Sequence, residues 1–242
     1  PSLPPSRAGI SIGDSLAATH ACLGAMMALH QVHLTGRGQV IDASIFESVL
    51  NMMENVVTDY DAGGYIRERT GSFLPKIAPS NVYPTKEDVW LVIGANQDSV
   101  WARMAEAMGH PEWATDERYA THQARGINQI ELDEIISDWT KDFAVADLEA
   151  LLNQHGIPNG KIYRAPEMLE DPQFQARESI VRVDHPEFGS IAMQSVAPKF
   201  SETQGAVRHP GPALGEHNDY VWGELAGKSS DEIANLKDRG II

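Results

Sequence analysis

Asp14, in the string Ile10-Ser11-Ile12-Gly13-Asp14-Ser15, stands where a short apolar run meets a helix-starting signal. A carboxylate is ionised at neutral pH, so it can attack an electrophile without a companion base. Free backbone N–H groups at a helix start would stabilise charge beside it. Taken alone, the Asp-Ser pair is an ordinary capping signal, with Asp14 or Ser15 as the N-cap. A second candidate is Asn96-Gln97-Asp98, directly after the apolar run 89–93. Polar groups on a loop at a strand end can face a ligand pocket, or they can merely cap the helix that follows.

Other reactive types read as structural. His20, His30 and His33 are spaced by ten and three residues, which is too irregular for a zinc site, and no metal is expected. Thr35-Gly36-Arg37-Gly38-Gln39 follows a helix and precedes a strand, the wrong order for a dinucleotide loop, and reads as a tight turn. Cys22, the single cysteine, has apolar neighbours and reads as a buried small hydrophobe in a reducing compartment. The acidic run Glu131, Asp133, Glu134 reads as a solvated helix face, and Trp101, Trp113 and Trp139 as core. His217, in Leu214-Gly215-Glu216-His217-Asn218-Asp219, is expected to fix the tail by hydrogen bonding.

The elements that would hold these residues follow from periodicity. A helix rich in small side chains is predicted over 16–33, a short strand over 39–44 and a helix over 46–58. After the Gly-containing stretch 61–79 come a strand at 89–93 and helices at 100–108, 127–139, 145–155 and 165–169. Strands at 179–184 and 190–194 and a last helix at 230–239 complete the chain. The expected division is a large-domain part at 1–60, a linker at 61–79, a small α+β domain at 80–185 and a segment at 186–242 that returns to the large domain.

The 242 residues hold 19 Lys and Arg against 34 Asp and Glu, a net charge of -15. That balance argues against nucleic acid and against an anionic membrane surface as partners. The apolar stretches are interrupted by His, Gln or Gly short of the roughly 20 residues of a membrane span. The opening PSLPPSRAG lacks the apolar core of a signal peptide, and the single cysteine leads to the expectation of a cytoplasmic setting.

The string from Ile12 through Ser15, the run Thr35-Gly36-Arg37-Gly38-Gln39-Val40-Ile41-Asp42-Ala43-Ser44, the phrase His155-Gly156-Ile157-Pro158-Asn159-Gly160 and the late Leu214-Gly215-Glu216-His217-Asn218-Asp219 together resemble the class III coenzyme A transferase family. The resemblance covers essentially the whole chain and implies an α/β fold. It implies a Rossmann-like large domain, of which this chain holds part, a smaller α+β domain, and an interlocked homodimer. It implies that Asp14 is the nucleophile of an acyl-CoA:carboxylate CoA-transferase, passing through an aspartyl-acyl anhydride and an aspartyl-CoA thioester. Gly13 and Ser15 form its backbone setting, and Asn96 and Gln97 are substrate-pocket candidates. The substrates would be a coenzyme A thioester and a small carboxylic acid, with no permanently bound cofactor.

Family members are longer at the amino end, so the chain is expected to be a fragment or to pair with a separate amino-terminal half that carries most CoA contacts. By itself it is expected to be inactive. Two other readings stand beside the transferase. Related racemases have a glutamate near the position of Gln97 and a Gly-rich stretch after the aspartate. Gln97 and Ser15-Leu16-Ala17-Ala18 weigh against an α-methylacyl-CoA racemase, since an amide does not exchange a proton as a carboxylate does. The other reading is a noncatalytic partner subunit in which Asp14 is only a cap.

Overall fold

The computed structural model describes residues 5–242, which divide into two compact units, the second beginning at Ile162. In the first unit, helix α1 runs Ile12–Thr35, two residues earlier than Asp14. Ser11 is its N-cap residue, and the Ser15 N–H and Oγ both donate to the Ser11 carbonyl, at 3.0 and 3.1 Å. The helical ladder therefore opens at Ser11, and neither Asp14 nor Ser15 is the cap. The helix stops as expected at Gly36, whose φ of 71° lets its N–H bond the Val32 carbonyl at 2.7 Å.

The segment predicted as a strand over 39–44 is irregular, because a strand exists only where its N–H and C=O groups find a ladder partner. It instead folds back along α1. A side chain on Gly24 would meet Ile41 Cγ2 at 3.1 Å, and one on Gly13 would meet Ile45 Cγ2 at 3.0 Å. Small residues on this face thus do what their size permits: they let the Ile41 and Ile45 side chains seat against the helix backbone. Ser44 then caps helix α2 (Ile45–Leu50), accepting from the Glu47 N–H while its hydroxyl donates to the Glu47 carboxylate.

The single helix expected over 46–58 is broken. After α2 the chain turns through Glu54, at φ 53°, before helix α3 (Val56–Gly63). Asn51 and Asn55, residues of weak helix propensity, stand at the two ends of the break.

The packed core of this unit begins with strand β1 (Ser80–Pro84), which the sequence pattern missed, and β2 (Trp90–Gly94). With β3 (Asn159–Lys161) they form an antiparallel sheet in the order β1-β2-β3, in which Tyr83 faces Leu91 and Ile93 faces Asn159. Leu91 and Ile93 are fully buried while Trp90 and Val92 on the opposite face are exposed, the two-residue alternation of a half-covered sheet. Burial of each such side chain stabilises by roughly 1.5–3 kcal/mol.

The covering layer is α4 (Asp98–Ala107), α5 (His122–Ile127), α6 (Gln129–Thr140) and α7 (Val145–Gln154), with a 3-10 turn at Pro111–Ala114. Trp101 is fully buried in the core cluster, and Trp113 and Trp139, partly buried, pack against that cluster, as expected of core tryptophans.

In the second unit, helices α8 (Ala165–Glu170) and α9 (Pro172–Ala176) precede a hairpin of β4 (Ile180–His185) and β5 (Gly189–Gln194), turned through Gly189 at φ 66°. The whole hairpin lies in this unit. A π-helical segment, Asp219–Leu225, and helix α10 (Ser230–Asp238) follow, the latter opened by a Ser229–Glu232 capping box. The architecture is mixed α and β, and among the described residues both sheets are antiparallel.

By length and composition alone α1 is long and apolar enough to cross a membrane, a test that the core helix of a soluble protein also passes. Its glycine contacts with Ile41 and Ile45 are those of a packing helix.

Candidate active site

Asp14 is the third residue of α1, solvent-exposed, in the turn whose amides lie outside the helical ladder. Among the described residues its carboxylate has no hydrogen-bond partner. Gly13 is half-buried, and its missing side chain admits Ile45 and Val49 of α2, so it fixes how closely α2 approaches the helix start. Ser15 is exposed, but its hydroxyl is committed to the Ser11 carbonyl. One turn and a half further along α1, His20 shares with residues 41–51 a cavity of about 420 Å³ whose polar wall includes Asp42, Ser44 and Glu47. Cys22 is exposed rather than buried, because α1 is covered only along the face that carries Gly13, Gly24 and Ala28.

The second candidate set lies on the turn from β2 into α4. Asn96 is half-buried, Gln97 is exposed, and Gln97 is the N-cap residue of α4 without a side-chain capping bond. The capping alternative for Gln97 therefore does not hold. This turn is built from behind by α5. Arg125, fully buried, donates from Nη2 to the Asn96 carbonyl at 2.8 Å and to Asp98 Oδ1 at 2.7 Å. The guanidinium beside it holds the Asp98 carboxyl below the usual carboxylate range. No described hydrogen bond joins Asp14 to Asn96 or Gln97.

Sequence reasoning missed this supporting layer. Asp133, expected on a solvated face, is buried and accepts from Tyr83 Oη at 2.5 Å and Asn81 Nδ2 at 3.0 Å. Gln129, also buried, accepts from the Lys76 N–H at 2.8 Å and donates to the Leu74 and Ile77 carbonyls. A signal was available in Arg125-Gly126: a glycine inside a helical pattern marks close backbone approach. Among the described residues no group of three His, Cys, Asp or Glu side chains is placed to hold a metal.

Comparison with known proteins places these features in a family. The profile described as CoA-transferase family III matches residues 1–218. The chain belongs to CoA-transferase family III. It is 52% identical over all 242 residues to succinyl-CoA–D-citramalate CoA-transferase of Chloroflexus aurantiacus, covering 60% of that protein. It is 31% identical over 241 residues, 99% of the chain, to the beta subunit of succinyl-CoA–L-malate CoA-transferase of the same organism, again covering 60%. The crystal structure of a CAIB/BAIF family protein from Brucella suis superposes with a TM-score of 0.74 at 27% identity, over 93% of this chain and 58% of that one. This family III chain thus spans about 60% of the length of the relatives it matches.

Proposed function

We propose that this chain is the aspartate-bearing part of an enzyme that transfers coenzyme A from an acyl-CoA to a small carboxylic acid, with Asp14 as nucleophile. The observation that carries the reading is the 52% identity, along the full chain, to a transferase named for succinyl-CoA and D-citramalate. An Asp14 that is exposed at a helix start, with no described side-chain partner, supports it. Succinyl-CoA as donor and a hydroxy-dicarboxylic acid as acceptor are the first substrates to try.

In the proposed cycle an Asp14 carboxylate oxygen attacks the thioester carbonyl carbon. The C–S bond breaks, CoA thiolate leaves and a mixed anhydride forms. The thiolate then attacks the aspartyl carbonyl, releasing the donor acid as its carboxylate and leaving an aspartyl-CoA thioester. The acceptor carboxylate attacks that thioester, giving a second anhydride and free thiolate. Thiolate attack on the acceptor's acyl carbon releases the new acyl-CoA and regenerates Asp14. No net proton, electron or metal ion is consumed, so an ionised carboxylate and a donor array for the developing oxyanion suffice. In this reading Gly13 and Ser15 shape the backbone around Asp14, and Asn96 and Gln97 line the acid pocket. The enzyme holds no permanent cofactor, works in the cytoplasm, and completes its Rossmann-like domain as an interlocked homodimer or with a separate amino-terminal half.

The test is mass spectrometry of the full-length protein after incubation with succinyl-CoA and trapping with hydroxylamine. A hydroxamate on Asp14 is expected, and Asp14→Asn should lower turnover by about a thousandfold or more and abolish the adduct. An active protein with no adduct, exchanging deuterium at the acyl α-carbon, would replace the transferase with the racemase. Neither adduct nor exchange leaves the partner-subunit reading.

A further inference from the structure

Arg125 is the one cation among the described residues with a fully buried side chain. Its guanidinium reaches three segments, two of them distant in sequence. Nε donates to the Ala78 carbonyl at 3.1 Å, Nη1 to the Tyr119 carbonyl at 2.8 Å, and Nη2 to the Asn96 carbonyl and Asp98 Oδ1. The Trp101 ring centroid lies 5.7 Å from it. Burying a charge is costly even when it is paired, and an apolar side chain of similar volume often builds an equally stable core. What an apolar side chain cannot supply is direction, because only a planar fork fixes four acceptors at once.

The acceptor of most interest is the Asn96 carbonyl. His122, at the start of α5, points its Nδ1 at the same oxygen from 3.0 Å; since a carbonyl only accepts, that nitrogen carries the hydrogen. The Asn96–Gln97 peptide is trans, so with its C=O turned inward to two donors its N–H points the other way. The next carbonyl, of Gln97, accepts from the Val100 and Trp101 amides at 3.0 and 2.8 Å, and the Ala95 N–H donates to the Pro79 carbonyl at 2.9 Å. The turn is therefore locked on both sides of Asn96-Gln97, with Gln97 itself left exposed.

We propose that Arg125 is a positioning residue for the transfer reaction: by holding the Asn96–Gln97 peptide from inside, it sets how Gln97 meets the incoming carboxylic acid. The inference rests on the reading above, in which these two residues line the acid pocket. Arg125 touches no substrate. It acts through Gln97, and His122 supports the same carbonyl from the surface.

The test uses the full-length protein with succinyl-CoA as donor and D-citramalate as acceptor. Arg125→Lys keeps the charge and loses the fork. It should raise the KM for the acid at least tenfold, while the rate at which Asp14 is first acylated, measured without acceptor, changes less than twofold. Because Arg125 acts through Gln97, the double variant with Gln97→Ala should lose no more than Gln97→Ala alone. A folded Arg125→Lys that slows both half-reactions equally, leaves the acid KM unchanged, or adds to Gln97→Ala overturns the proposal. If that variant does not fold, His122→Ala decides: a severalfold rise in acid KM supports the proposal and no change overturns it. Failure of the underlying reading is seen separately. An unsubstituted protein without an Asp14 adduct removes the transferase, and a Gln97→Ala variant with unchanged acid KM removes the pocket assignment; either result takes the positioning role with it.

Discussion

The Asp133 carboxyl sits between two donors, Tyr83 Oη and Asn81 Nδ2, yet its pKa is raised, because loss of solvent outweighs what the hydrogen bonds return. Burial, and then the Asp133 charge, hold the Tyr83 hydroxyl well above its ordinary range, so it remains a donor. The linkage has a definite sign. A group whose folded pKa is raised contributes stability that is fully present below its unfolded value and lost as pH rises through the folded value. Asp133→Asn removes that titration. Relative to the variant, the unsubstituted protein should therefore lose stability as pH climbs from the ordinary carboxylate range upward, measured by urea unfolding between about pH 4 and 8. A pH-independent difference between the two would contradict the raised pKa. Tyr83→Phe should cost about 1–3 kcal/mol at neutral pH, since it strips a donor from a buried carboxylate. The type of Asp133 was legible in the sequence, but its burial was not. The helical pattern of α6 places Asp133 beside Leu132, and only the arrival of β1 with Tyr83 and Asn81 decides that this flank faces inward.

At the scale of elements, the packing of α5 and α6 against residues 74–78 holds the first unit's core and its candidate pocket turn together. A Cβ on Gly126 would stand 2.5 Å from the Lys76 carbonyl oxygen, a contact with backbone that no rotamer relieves. Lys76 is itself at φ 66°, its N–H held by Gln129. Gly126→Ala should destabilise by about 1–3 kcal/mol, read from the shift in urea midpoint at unchanged slope. An unshifted midpoint would mean that segment 74–78 moves aside freely. The longer helices and β2 were legible because period 3.6 and period 2 run through them, as in the alternation of Trp90, Leu91, Val92 and Ile93. β1 was not, since Ser80-Asn81-Val82-Tyr83-Pro84 carries little apolar alternation and is a strand because β2 pairs with it. The reverse error at 39–44 has the same cause: β-type residues with no neighbour to pair.

At the scale of the whole molecule, α1 to α3 leave a broad apolar surface open. Leu23, Met26, Met27, Leu34, Phe46 and Val57 are all more than half exposed, and large apolar side chains open to water favour association. Residues 1–242 expressed by themselves should therefore associate, seen as a concentration-dependent mass in light scattering. Met26→Glu together with Met27→Glu should reduce it. A monomer at all concentrations would mean that this surface is solvated as it stands. By itself, the sequence pointed to the family through the strings that resemble it, with Asp14 as the candidate nucleophile that the resemblance implies, and to the main helices through local spacing. Tertiary structure alone decided which polar groups are buried, that Arg125 stands behind the Asn96–Gln97 turn, and which β-type segments become strands. Each of these depends on partners brought from far along the chain, and local periodicity carries no record of them.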